Sequence, residues 1–121
     1  MILALDYDGT YTKDPVMWQA IIPVFRAAGH EVFCCTMRTP EEVSSMDPEL
    51  LKHVQVIPTS RAAKGPFMEA LGIPVDIWID DNPMFIVADA ADRPATRPQT
   101  SQGALQSAPK TKARMTLSKP A

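Results

Sequence analysis

Short apolar stretches, three of them closed by acid or hydroxyl, constrain this chain more than anything else in it. Ile2–Leu5 runs into Asp6, Val32–Cys35 into Thr36, and Val75–Ile79 into Asp80-Asp81; Val54–Ile57 is a fourth stretch of the same length class. Runs of this kind are the signature of parallel strands covered on both faces, because successive side chains alternate between two buried surfaces. Helix punctuation separates them. Asp14-Pro15 places a capping acid before a proline at the first helical position. Met17, Ile21, Val24, Phe25 and Ala28 then share one helical face, Gly29 closes the helix, and Pro23 is expected to kink it. Thr39-Pro40-Glu41-Glu42 has the spacing of a capping box and predicts a short helix to about Met46, followed by a turn at Asp47-Pro48. Gly65 and Pro66 open a helix that ends at Gly72, and 83–90 can hold one more. Alternating strands and helices predict an α/β fold, with a parallel sheet and helices on both faces.

The pattern stops after Ala90, which divides the chain into a domain at 1–90 and a tail at 91–121. The tail is rich in Pro, Ser, Thr and Gln, with Leu105, Met115 and Leu117 as its only large apolar side chains. Such a segment buries too little to offset its ordering entropy, so a disordered C-terminal tail is expected. Charge divides in the same place. Thirteen acids face six bases in 1–90, whereas six bases face only Asp92 in 91–121. The basic tail invites a nucleic-acid reading, but scattered bases without interleaved aromatic residues are a weak signal, and a solvated tail is the default. Cys34 and Cys35 are adjacent and have no third cysteine to pair with, which fits a reducing compartment. The apolar start is too short for a signal peptide or a membrane span, so a soluble, cytoplasmic protein without a membrane partner is expected.

In an open parallel sheet, ligands bind beyond the carboxyl ends of the strands. If the first, second and fourth strands are neighbours, Asp6, Asp8, Thr36, Asp80 and Asp81 converge on one crevice. Two unit charges 4 Å apart at an effective dielectric of 20 repel by about 4 kcal/mol. A hard divalent cation shared by Asp6, Asp8, Asp80 and Asp81 relieves that repulsion, and Mg²⁺ suits carboxylates completed by water and phosphate oxygens. Asp6, ending its strand, is the candidate nucleophile. Asp8, two residues on in a turn that Gly9 makes possible, is the candidate acid and base. Thr36 and Lys64 are the candidates for holding and neutralising the transferred phosphoryl group.

The segments Leu5-Asp6-Tyr7-Asp8-Gly9-Thr10, Cys35-Thr36-Met37-Arg38, Lys64 before the helix ending in Leu71-Gly72, and Ile79-Asp80-Asp81-Asn82 resemble, in order, the four motifs of the haloacid dehalogenase-like superfamily. The resemblance covers roughly residues 1–90. It implies a Rossmann-like fold, Mg²⁺, and a phosphate monoester hydrolase working through an aspartyl-phosphate on Asp6. It assigns Asp8 as acid/base, Thr36 and Lys64 to phosphate stabilisation, and Asp80 or Asp81 to the metal. The fourth motif departs from the commoner Gly-Asp form, which leaves open which of Asp80 and Asp81 is the ligand. The spacing between motifs leaves no room for a cap domain, and an open site of this kind suits a bulky or macromolecular phosphate.

Plainer readings stand beside these. Arg61 rivals Lys64, and Arg38 is either a phosphate grip or a solvated arginine. The cysteines, Trp18 and Trp78 read as packing residues, His30 and His53 lie at the far ends of strands, and Tyr7 and Tyr11 flank the catalytic turn. A catalytically silent phosphate-binding or interaction module is the main alternative function, and polynucleotide 3′-phosphatase activity aided by the tail is a lesser one. A phospho-accepting receiver needs an acceptor Asp on the third strand, where Val56-Ile57-Pro58 has none. No GxxxxGK loop is present.

Overall fold

The computed structural model describes residues 1–94. Strands β1 (Ile2–Leu5), β2 (Glu31–Thr36), β3 (Gln55–Pro58) and β4 (Ile77–Ile79) form one parallel sheet in the order β3-β2-β1-β4. The chain steps outward from β1 to β3 and then crosses back to place β4 on the free side of β1. That reversal puts β1 between β2 and β4, with Leu5 opposite both Cys34 and Ile79. Strand alternation sorts the core. Leu3, Leu5, Val32 and Cys34 meet Ile22 of α1 (Pro15–Ala27) and Leu50 of α2 (Pro48–His53) on one face. Ala4, Cys35 and Ile57 meet Met68 of α3 (Lys64–Ala70) on the other. A fourth, one-turn helix, α4 (Met84–Val87), packs against α3. The two cysteines thus face opposite layers as buried thiols, as strand geometry requires.

Several local expectations needed correction. The inward face of α1 is Trp18, Ile22 and Phe25, while Met17 and Val24 are 39% and 66% exposed. The helix is apolar around much of its girth, so spacing alone left its rotation open. Trp18 settles it, since its indole Nε1–H donates to the Thr10 carbonyl at 3.2 Å. As read from the residues, Pro23 lies inside this helix. The capping box at Thr39 and Glu42 is present, but the segment it opens, Pro40–Ser45, is a 3₁₀ helix. Asp47-Pro48 begins α2 rather than a simple turn: Asp47 Oδ1 accepts from Glu49 N, and its Oδ2 accepts from the buried Tyr11 hydroxyl at 2.8 Å. Strand β4 is shorter than 75–79, because the Asp76 side chain takes the Ile2 N–H at 2.7 Å in place of a backbone carbonyl. The last helix stops at Val87, where the chain turns so that Asp89 Oδ1 accepts from Ala63 N and Ala90 N donates to Arg61 O. Order runs past Ala90, since Asp92 pairs with Arg61 and Arg93 with Asp89. From residue 95 onward, the expected tail lies outside the described residues. No helix among the described residues is long and apolar enough to cross a membrane.

Candidate active site

Asp6 is the first residue beyond β1, and its N–H donates to Ile79 O at 2.9 Å, extending the β1–β4 ladder by one step. This places its carboxylate beside those that follow β4. Lys64, the first residue of α3, is 2% exposed; its Nζ donates to Asp6 Oδ1 at 2.7 Å and to Asp80 Oδ2 at 2.6 Å. The Asp80 side chain is as deeply buried, at 3%, and its second oxygen accepts from Asn82 N. Lys64, not Arg61, is therefore the lysine-like charge of the site. The Thr10 hydroxyl lies 3.0 Å from Asp6 Oδ2 and 3.3 Å from Asp81 Oδ1, and it accepts from Asp81 N at 3.1 Å. A small hydroxyl beside a glycine reads as turn chemistry in the residues, and only the approach of Asp81 gives Thr10 this place in the site.

Gly9 makes the close approach possible. Its φ is +84°, and a Cβ there would overlap Asp81 Oδ2 and stand 2.9 Å from Asp81 Cγ. Gly9→Ala is expected to destabilise the fold by roughly 1–3 kcal/mol, through left-handed strain together with the displaced acid. Urea unfolding checks this, and a midpoint equal to that of the unaltered chain would contradict the geometry.

Asp6, Asp80 and Asp81 each bring an oxygen within 4.8 Å of the others. Three carboxylates and one ammonium sum to a formal charge of −2, which one divalent cation offsets. A single Thr10 hydrogen also faces two carboxylate oxygens and can satisfy only one fully. The donor set is entirely oxygen, which suits a hard divalent cation. Burial, above all, pushes the Asp6 carboxyl up to about 6; Lys64 pulls it down, and Asp81 and Asp80 push it up again. For Lys64, burial works against the charge, but hydrogen bonds to Asp6 and Asp80 together with their charges outweigh it and raise its pKa.

The consequence for stability has a definite sign. Between the ordinary 3.8 and about 6, the folded protein holds the Asp6 proton and the unfolded chain does not. Stability contributed by Asp6 is therefore fully present below that window and is lost as pH rises through it, by about 3 kcal/mol for two pKa units. Urea titrations of the metal-free chain and of Asp6→Asn from pH 4 to 7 should diverge by this amount. Parallel curves would show that Asp6 is not held in this environment.

Of the four carboxylates expected to converge, the structure gathers three; Asp8 is not among them. Arg38 takes it instead, with Nε to Asp8 Oδ2 at 3.0 Å and Nη2 to Oδ1 at 2.8 Å. Asp8 thus stands at the rim, its side chain 59% exposed. Thr36 ends β2 as expected and is buried; its Oγ1 accepts from Arg38 N, and its carbonyl accepts from Thr59 N at 2.8 Å. The loops after β2 and β3 are joined further by Ser60 N to Arg38 O and Arg61 N to Met37 O. Ser60 and Arg61 have φ of 53° and 70° without being glycine. The cost of that backbone is offset in part by the Arg61 side chain, which reaches Met37 O, Glu42 and Asp92. Pairing with Arg61 holds the Glu42 carboxyl down at about 2.

Burial pushes the Cys35 thiol up to about 12 and that of Cys34 further, so neither is a nucleophile at neutral pH. Tyr7 and Tyr11 stack with ring centroids 5.5 Å apart, and Tyr7 lies beneath the Arg38 guanidinium at 5.1 Å. An apolar groove of about 620 Å³ between α3, β4 and α4 contains none of the site acids. Compared with protein-family models, curated proteins and solved structures, the chain matches none.

Proposed function

We propose that this chain is a Mg²⁺-dependent phosphate monoester hydrolase of the haloacid dehalogenase-like kind, with Asp6 as nucleophile. The reading rests above all on one observation: a buried lysine bridges two acids at the carboxyl ends of adjacent parallel strands, with a third acid beside them. Asp6 Oδ2, the oxygen not held by Lys64, attacks phosphorus in line. The phosphorus–oxygen bond to the substrate breaks, and Asp8 supplies the proton that the leaving oxygen takes up. Asp8 then removes a proton from water, whose oxygen attacks the phosphorus of phospho-Asp6. The bond between phosphorus and Asp6 breaks, and inorganic phosphate leaves.

Lys64 orients Asp6 and offsets charge on the transferred group, and Thr36 places hydroxyl and backbone donors beside it. Asp6, Asp80 and Asp81 would hold Mg²⁺, which neutralises charge on phosphate oxygens when bound. The short segments between the motifs leave the rim open, which accommodates a bulky phosphate ester. Hydrolysis of an aryl phosphate with Mg²⁺, abolished by EDTA, is the expected result. Metal binding without turnover across nucleotides, sugar phosphates, phosphopeptides and phosphorylated oligonucleotides would favour the silent binding module instead.

A further inference from the structure

Asp8 has two oxygens, and both accept from Arg38. In this arrangement the carboxylate is turned to the guanidinium and stands outside the acid cluster of Asp6, Asp80 and Asp81. The guanidinium itself is well held. Nη1 donates to Glu42 O at 2.9 Å and to Ser45 Oγ at 2.9 Å, and the guanidinium lies over the Tyr7 ring, which stacks with Tyr11. Among the described residues, four of its five N–H groups are thereby used, and one on Nη2 has no partner. A planar fork with an unused donor, 24% exposed at the rim, is suited to a phosphate as well as to a carboxylate.

We propose that Arg38 is a substrate-phosphate ligand which Asp8 occupies in the free protein, and that binding exchanges one for the other. A phosphate oxygen of the incoming ester takes the fork, and Asp8 is released to serve the reaction. Substrate binding and the freeing of the acid/base are thus one event. The anchors at Glu42, Ser45 and Tyr7 keep the guanidinium in place while its partner changes. The inference rests on the phosphate site proposed above, but its test reads binding and not turnover.

The test is the affinity of the Mg²⁺-loaded full chain for inorganic phosphate, measured by calorimetry. Arg38→Ala should weaken it about tenfold or more, the scale of a lost charged hydrogen bond. Asp8→Asn should tighten it, on the order of threefold to tenfold, because the competitor for Arg38 is gone. In the Arg38→Ala background, Asp8→Asn should change affinity less than about twofold, which a general charge effect of Asp8 would not predict. Should Arg38→Ala fail to fold, Arg38→Lys keeps the charge without the fork and is expected to lie between the two. Affinity unchanged in the Arg38 variants, no measurable phosphate binding, or an equal Asp8→Asn effect in both backgrounds would overturn the exchange. Phosphate binding with this pattern but no turnover would overturn the proposed function alone.

Discussion

Replacing Asp6 by Asn is expected to lower turnover of 4-nitrophenyl phosphate by at least about 10⁴-fold, the scale seen when a covalent nucleophile is removed. The variant isolates chemistry from folding. Asn is nearly the same size, its amide oxygen can still accept from Thr10 or Lys64, and Lys64 keeps Asp80 as an ionic partner. What is lost is the anionic oxygen that attacks phosphorus, along with one unit of negative charge from the proposed metal site. Initial rates with Mg²⁺ and with EDTA, on protein shown to be folded by circular dichroism, provide the measurement. Turnover that survives the substitution, or that ignores EDTA, would reject the mechanism.

Lys64→Met should produce the largest loss of stability. Met matches much of the lysine stem, so the packing of that stem is retained and charge is the main thing removed. Asp6 and Asp80 would then sit buried without the ammonium that both now contact. Breaking a buried ion pair by deleting one partner costs about 3–5 kcal/mol. For a domain of this size, that is a fall in Tm of order 20 °C. Thermal scans in EDTA read the full effect. Adding Mg²⁺ should return part of it, since a cation bound only by the folded state stabilises it. A Tm in EDTA within a few degrees of the unaltered chain would mean that Lys64 does not neutralise the buried acids.

The parallel sheet, its two covered faces and the gathering of Asp6, Lys64, Asp80 and Asp81 were legible in the residues. Strand-end acids need only the local period and the rule that ligands lie beyond the carboxyl ends of such strands. Lys64 was harder to separate from Arg61, because both lie in the β3–α3 connection. Packing separated them: the first turn of α3 carries Lys64 into the crevice, while Arg61 turns away to Glu42 and Asp92. The rotation of α1 was not legible, since Val16, Met17, Ile21 and Val24 give the helix more than one apolar face. The left-handed pair Ser60-Arg61 was not foreseen, because neither residue announces such a turn.

Residue order alone reveals which segments are strands, which chemistry stands at their ends, and that a candidate nucleophile follows β1. These depend on contacts between near neighbours and on a period of two or three to four residues. The assembled loops are needed to see that Asp8 leaves the acid cluster for Arg38, that the Thr10 hydroxyl faces two carboxylates, and that Gly9 gives way to Asp81. Each of these joins groups from separate loops at the end of the sheet. Such partners are chosen by which loops the strand order brings together, and no local pattern records that choice.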